Sequence, residues 1–379
     1  MINKDRLITL TQTLLQFDSV NPPGNELAIS KFIEKDMRSL GLDVKTYSFV
    51  KDRPNVVATL RGSLPKKQNK PILITPHIDT VPFGTGWKFD PIGGQIHNGK
   101  IYGRGASDDK GNAAVGMEVL RSLVEDKVQL KHDVIYAATV DEETGSHQGI
   151  RPLLSKGILR PDVALITDSE EFDCVIAQKG LFHSRIQIFG RKAHGAYNWR
   201  GVNSIEIAAK IIKRLLDHQF KFKKHPLLVP PTKNIGTIKG GDKVNMVADF
   251  CEFALDIRFM PGMTADGVLK EVKSIIERET KNYKIIIDDA QKPYCIDPKH
   301  PFVKTYVDVC KKMKVNAKLT GSQGATVISF FQDYNIPAFS TGWGAHGVIH
   351  ANDEYAFVKT LIKGAQVLEE YLVAYDKIA

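Results

Sequence analysis

The chain has 379 residues, 42% hydrophobic and 25% charged, enough apolar material for a sizeable core, which excludes a disordered protein. Its net charge of +9 comes from lysines scattered along the chain, with no dense basic arm or nucleic-acid-binding signature, so no nucleic acid is expected as a partner; the charge suits a solvated surface and attraction of small anionic substrates. Met1–Arg6 is charged with no apolar run behind it, no stretch is long and apolar enough to span a membrane, and Cys174, Cys251, Cys295 and Cys310 are widely spaced, so a cytoplasmic protein with reduced thiols is expected, with no secretory signal and no membrane partner.

In chain order, the apolar spacing of Leu7, Leu10, Leu14 and Leu15 predicts a helix over 7–17, ended by Asn21-Pro22-Pro23-Gly24. A second helix is predicted over 26–40, with Gly41 as its stop. Strands follow at 43–50, 56–60 and 72–75, then a helix at 111–123 and strands at 134–140 and 163–167. Alternating strands and helices, some strands continuously apolar, indicate an α/β domain with a buried, mostly parallel sheet flanked by helices.

The grammar changes after about residue 180. A strand at 182–189, a helix at 204–216, strands at 235–238 and 250–258, a helix at 265–279 and a strand at 285–288 give the order β-α-β-β-α-β, which resembles a ferredoxin-like insert. The α/β pattern then returns with a helix at 300–314, a strand at 317–319, a helix at 326–334, a strand at 338–341 and a terminal helix from about Ala356. The expectation is one discontinuous domain, 1–180 and 292–379, around an inserted domain of 181–291.

Five segments carry candidate chemistry, each at or after the end of a predicted strand, where ligands bind in open α/β sheets. The first is His77-Ile78-Asp79, in which Asp79 can orient the His77 ring. The second is Gly103-Arg104-Gly105-Ala106-Ser107-Asp108-Asp109-Lys110-Gly111; it lacks the order of a phosphate-binding P-loop, and helix capping by one aspartate is the competing explanation. The third is Asp141-Glu142-Glu143-Thr144-Gly145, which reads equally as a solvated acidic turn or as a set of carboxylates neutralised by metal. The fourth is Asp168, with Glu170 and Glu171 as competitors, and the fifth is His350-Ala351-Asn352-Asp353-Glu354, with His346 as competitor. Imidazoles and carboxylates together suit Zn²⁺, Co²⁺ or Mn²⁺ and argue against copper–thiolate chemistry.

This ordered set, running through essentially the whole chain, resembles the M20 metallopeptidase family, which includes acetylornithine deacetylase, succinyl-diaminopimelate desuccinylase, aminoacylase-1 and carboxypeptidase G2. The resemblance implies a zinc-peptidase-like catalytic domain with a ferredoxin-like lid and dimerisation domain. It implies two divalent metal ions, Zn²⁺ first among them, with Asp108 bridging, His77 and Asp168 completing one site and Glu143 and His350 the other. Glu142 is then the general base, Asp79 the partner of His77, and the Asp108–Asp109 bond cis. In the insert, Gly190-Arg191-Lys192-Ala193-His194-Gly195 makes His194 the oxyanion stabiliser, acting in its own or the partner subunit. Asn245 and Arg258 match substrate-contacting positions, with a salt bridge as the other reading of Arg258, and Lys179 and Ser322 match residues that hold a substrate carboxylate. In Gly321-Ser322-Gln323-Gly324-Ala325-Thr326, Gly324 stands where relatives carry an aspartate, which leaves the acyl specificity open.

The implied function is cleavage of the amide bond of a small N-acyl amino acid by a homodimer. A dipeptidase or carboxypeptidase of the same family is the alternative, and a catalytically silent metal- or ligand-binding homologue the alternative of another class. No Gly-x-Ser-x-Gly elbow is present, which excludes the common serine hydrolase arrangement.

Overall fold

The computed structural model describes residues 1–379, which divide into two compact units: Met1–Ile176, Ile296–Thr320 and Phe330–Ala379 form the first, Ala177–Cys295 and Gly321–Ser329 the second. The segment Gly321–Ser329, read from sequence as part of the first domain, packs with the second unit. The Gln178 side chain accepts hydrogen bonds from Thr326 N at 3.1 Å and Thr326 Oγ1 at 2.8 Å, and Lys179 N donates to Ser322 O at 3.2 Å.

Six strands of the nine-stranded sheet run in the order Asp43–Ser48, Pro54–Leu60, Val134–Ala138, Ile72–Thr75, Val163–Ile166, Ala338–Ser340. The last four are mutually parallel, and the first two join antiparallel. Ile72–Thr75 and Val163–Ile166 are buried along their whole length, as parallel strands covered on both faces must be. Helices Lys4–Leu15, Lys110–Glu125 and Val358–Asp376 pack against one another, and Leu27–Ser39 lies on Pro54–Leu60. Pro301–Lys312 joins through an aromatic cluster in which Tyr306 and Phe302 meet Phe339 and Tyr371.

Several elements of the first unit escaped the sequence reading: the short helix Ile150–Ser155, the strand that begins at Cys174, and a small sheet. Gln95–His97, Lys100–Tyr102 and Tyr355–Phe357 form a small antiparallel sheet. Strands of three residues are too short to show a period, so their pairing is legible only in three dimensions. The register Tyr102↔Tyr355 lays Gly103–Asp109 beside His350–Glu354, and Gly103 N donates to Glu354 O at 2.9 Å.

The second unit is an antiparallel sheet in the order Thr232–Gly240, Phe250–Phe259, Gly180–Phe189, Tyr283–Gln291. Its helices, Ser204–Asp217 and Ala265–Ile276, lay Ala208, Ile211, Leu215, Val268, Val272 and Ile276 on the buried sheet face. Alternation along Phe250–Phe259 puts Cys251, Phe253, Leu255, Ile257 and Phe259 in this core, the period-2 signature of a strand with one wet face.

Gly364, in the terminal helix, packs closely on the fully buried Trp343, whose Cγ would lie 2.2 Å from a Cβ at position 364. Gly364→Val is expected to destabilise the protein by about 1–3 kcal/mol or more through overpacking, read as a lower urea midpoint; an unchanged midpoint would contradict this packing.

Candidate active site

The parallel strands of the first unit all end on one side, and the loops that leave them carry His77, Asp141–Glu143 and Asp168. His77 Nε2 lies 2.8 Å from Asp108 Oδ1, and His350 Nε2 lies 3.1 Å from Asp108 Oδ2 and 3.2 Å from Glu143 Oε2. The ligand atoms of His77, Asp108 and Glu143 all fall within 4.8 Å of one another, and so do those of His77, Glu142 and Asp168. His77, Asp108, Glu142, Glu143, Asp168 and His350 thus converge on one site. The competing histidine, His346, is engaged elsewhere: its Nδ1 lies 2.6 Å from Glu170 Oε2.

The tautomer of His77 follows from its partners. Its Nδ1 faces the main-chain oxygen of Asp79 at 3.0 Å and must donate there, which leaves Nε2 to face the site. The Asp79 carboxylate, 3.5 Å from Nδ1 through Oδ1, has a second task that the sequence did not reveal. Its two oxygens accept Glu142 N and Glu143 N, both at 3.1 Å, and Asn21 Nδ2 donates to Oδ2 at 2.9 Å. Asp79 therefore holds the short turn Glu142–Thr144 from outside, while Asp141, in the left-handed region at φ 67°, sharpens the exit from the preceding strand.

Further residues missed from sequence are Glu354, Arg104 and Asn112. Glu354 is buried, and its Oε1 accepts the N–H groups of Gly105, Ser107 and Asp108 at 3.0–3.1 Å. Its Oε2 accepts Arg104 Nη1 at 2.7 Å, and Arg104 also donates to Ala351 O at 3.0 Å. Asn112 Nδ2 donates to Asp109 Oδ1 at 2.6 Å and Thr167 O at 2.7 Å, while its Oδ1 accepts Trp343 N at 2.8 Å. The Asp108–Asp109 bond is cis. Asp109 accepts His77 N through Oδ2 at 3.1 Å and Asn112 through Oδ1, so the second aspartate of the pair braces the site instead of facing it. Adjacency to the Asp-Asp and His350 motifs was the only available sequence signal for these braces.

The electrostatics are those of a site short of positive charge. Burial and the charge of Asp108 push Asp168 up to about 7, and burial with Asp168 and Glu143 nearby raises Glu142 well above the usual carboxylate range. Burial opposes ionisation of Asp108 too, but His350 and His77 hold it below its ordinary value. Asp108 and Glu143 in turn raise His350 to about 10. Glu143 Oε1 is buried with no hydrogen-bond partner, a lone pair left open toward the cluster. Crowded carboxylates, two imidazoles and an unsatisfied oxygen fit divalent cations of the Zn²⁺, Co²⁺ or Mn²⁺ type.

The other expected site residues lie in the second unit. His194 Nδ1 accepts Ala196 N at 3.1 Å, so a neutral ring carries its proton on Nε2; Gly195 N donates to Asn245 O at 2.8 Å, which places Asn245 beside it. Arg258 is paired with Asp256, Nε to Oδ1 at 2.8 Å, so its salt bridge is real. Lys179 is buried and donates to Pro230 O at 2.9 Å; burial, and then the charge of Arg258, lower its pKa. Ser322 Oγ donates to Gly324 O and accepts Gly324 N, both at 3.2 Å.

Over residues 73–374 the chain matches the profile described as Peptidase family M20/M25/M40. Its fold is similar to that of a tripeptidase from Staphylococcus aureus, with a TM-score of 0.82, 24% identity and 100% of both chains covered. It is also similar to the aminopeptidase PepT from Bacillus cereus (TM-score 0.81, 23% identity, 100% of both chains). A third likeness is to an M20 family metallo-carboxypeptidase from Sulfolobus solfataricus (TM-score 0.82, 20% identity, 98% of this chain and 100% of that one).

Arg104→Met would strand the buried Glu354 carboxylate. The expected loss is ~3–5 kcal/mol, against ~0.5 kcal/mol or less for Lys213→Met, which removes an exposed pair with Asp217. Equal effects of the two substitutions in urea unfolding would contradict this account of the brace.

Proposed function

The chain belongs to the M20/M25/M40 peptidase family and is a metal-dependent hydrolase of linear amide or peptide bonds; on that premise we propose that it uses two divalent ions to cleave a small substrate with a free carboxylate. The observation that carries this reading is the meeting of His77, Asp108, Glu143 and His350, with Glu142 and Asp168 alongside. Asp108 would be shared by both ions, His77 and Asp168 would hold one, and Glu143 and His350 the other. Zn²⁺ is the proposed metal, with Co²⁺ or Mn²⁺ as substitutes. When bound, such ions lower the pKa of a shared water and polarise a carbonyl oxygen.

The protein's own residues supply the remaining steps. Glu142 accepts the proton of the attacking water and returns it to the leaving nitrogen. Asp79 keeps that carboxylate in place through the backbone of its turn. His194 offers Nε2–H to the developing oxyanion, the kind of donor whose removal commonly costs ~3–4 kcal/mol of transition-state stabilisation. Asn245 and Arg258 contact the substrate, and Lys179 and Ser322 hold its carboxylate.

Two substrate readings stand. The short chain and the compact inserted domain, which resemble the deacetylase and desuccinylase branch, favour an N-acyl amino acid, cleaved in a cytoplasmic homodimer joined through the second unit. The edge strand Thr232–Gly240, unpaired on its outer side and bearing the exposed Ile238, supports that mode of assembly. The fold neighbours bear the names tripeptidase, aminopeptidase and carboxypeptidase, which favours a short peptide. A panel of N-acyl amino acids, dipeptides and tripeptides, run with chelator-stripped and Zn²⁺-reconstituted protein, separates the two; no turnover of any member by the reconstituted protein would leave the silent homologue.

Glu142→Ala should retain its bound metal and lose at least about 100-fold in kcat, measured as turnover beside metal content; near-wild-type turnover would reject Glu142 as the base. If His194 acts on the partner subunit's site, mixing His194→Ala with Glu142→Ala protein restores part of the activity. No recovery after verified subunit exchange would place its action within one subunit.

A further inference from the structure

Asp79 holds the Glu142–Thr144 turn through its backbone from one side. On the other side the turn begins at Asp141, whose carboxylate is buried. Asp141 Oδ1 accepts Thr144 Oγ1 at 2.7 Å and Oδ2 accepts Gln148 N at 3.0 Å, so this side chain closes the turn on itself. A buried carboxylate also requires a positive partner.

That partner is Arg53, whose Nη1 lies 3.1 Å from Asp141 Oδ1. The rest of its fork is taken by Glu26: Nε donates to Oε2 at 2.9 Å and Nη2 to Oε1 at 2.6 Å. Glu26 is fully buried at the start of helix Leu27–Ser39; burial pushes its pKa up, and the Arg53 guanidinium opposes that rise. A bidentate pair fixes the plane of the guanidinium as well as its charge. Gly24, at φ 98°, packs against that plane, and the guanidinium fills the space a Cβ would need.

Two more side chains tie the same parts together. Asn21 Nδ2 donates to Asp79 Oδ2 at 2.9 Å and to Thr144 Oγ1 at 3.0 Å, and Asn21 N donates to Thr80 O at 2.8 Å. Asn55, two residues beyond Arg53, grips both ends of the loop that contains the turn: its Oδ1 accepts Val140 N at 3.1 Å and its Nδ2 donates to Gln148 O at 2.8 Å.

We propose that Arg53 is a positioning residue for the acids of the site: by fixing Asp141 it sets where Glu142 and Glu143 stand. It acts through Asp141, one residue before the proposed base. Without the guanidinium, the carboxylates of Asp141 and Glu26 face each other with no cation between them, and their repulsion opens the turn at its first residue. A base displaced from its attack geometry lowers kcat. KM stays, because the residues proposed to contact the substrate lie in the second unit. The catalytic half of this inference rests on the proposed role of Glu142; the mechanical half does not.

Arg53→Met alone would strand the Glu26 carboxylate, so the test is made in a Glu26→Gln background, where position 26 keeps no charge to strand. Full-length, Zn²⁺-loaded Glu26→Gln and Glu26→Gln/Arg53→Met proteins are compared by hydrogen exchange with peptide mapping. Their steady-state kinetics are measured on the best substrate of the panel, beside metal content. Exchange over 141–148 should be about tenfold faster in the double variant and unchanged over Phe250–Phe259. The kcat per bound metal should fall about 10- to 100-fold at an unchanged KM. Glu26→Gln/Arg53→Lys, which returns the charge, should recover most of both losses. Unchanged exchange over 141–148, or equal acceleration throughout the chain, would overturn the positioning role. Faster exchange at an unchanged kcat, or a loss carried by KM alone, would overturn its catalytic half. The exchange readout uses no turnover, and Glu142→Ala tests the base by itself, so failure of the proposed function and failure of this inference are separate results.

Discussion

The interaction on which the rest depends is the Asp108 carboxylate caught between the imidazoles of His77 and His350, at 2.8 and 3.1 Å. Those histidines arrive on loops far apart in the chain, and the carboxylates of Glu142, Glu143 and Asp168 stand around them. Bringing several acids together in a partly buried place opposes folding unless positive charge joins them. The raised pKa values of Glu142 and Asp168 express that opposition. The same crowding gives the site its appetite for cations.

A site under such mutual repulsion keeps its shape only if its supports are themselves saturated. Glu354 gathers three N–H groups of one loop and a guanidinium, Asn112 ties Asp109 to Thr167 and Trp343, and Asp79 holds the turn of Glu142 and Glu143. Each brace satisfies polar groups from more than one loop, so each transmits the rigidity of the sheet to the acids. The second unit is built differently. Its antiparallel sheet has one wet face, and it carries His194, Asn245, Arg258, Lys179 and Ser322 on or beside that framework. Under the proposed function, cation binding and proton handling lie in the first unit and substrate recognition in the second.

Much of the fold was legible residue by residue. The continuous apolar runs at Ile72–Thr75 and Val163–Ile166 announced buried parallel strands, and the alternation over Phe250–Phe259 announced a half-wet antiparallel one. The helix over Ser204–Asp217 was legible from its spacing and is capped by Asn203, whose side chain accepts Ile205 N and Glu206 N. The three-residue strands Gln95–His97, Lys100–Tyr102 and Tyr355–Phe357 were not, because no period fits in three residues. Gly321–Ser329 was placed with the wrong neighbours for a similar reason: its attachment is to Gln178 and Lys179, through single hydrogen bonds that leave no trace in hydropathy.

The sequence by itself determined which residue types were available and where along the chain they fell: acids and histidines at the ends of apolar strands, in an order that resembles one hydrolase family. Chemistry of that kind is local, and a strand end followed by His-x-Asp or Asp-Glu-Glu can be read without knowing its neighbours. Only the tertiary structure shows that the imidazole of His350 reaches Asp108 while that of His346 is taken by Glu170. It also decided that Asp79 braces the Glu142 turn with its side chain while its main chain orients His77, and that Glu354 gathers the Asp108 loop. Apart from the His77–Asp79 contact, these are meetings of groups separated by tens to hundreds of residues, and a hydrogen bond between such groups depends on distance and direction, which no linear pattern encodes.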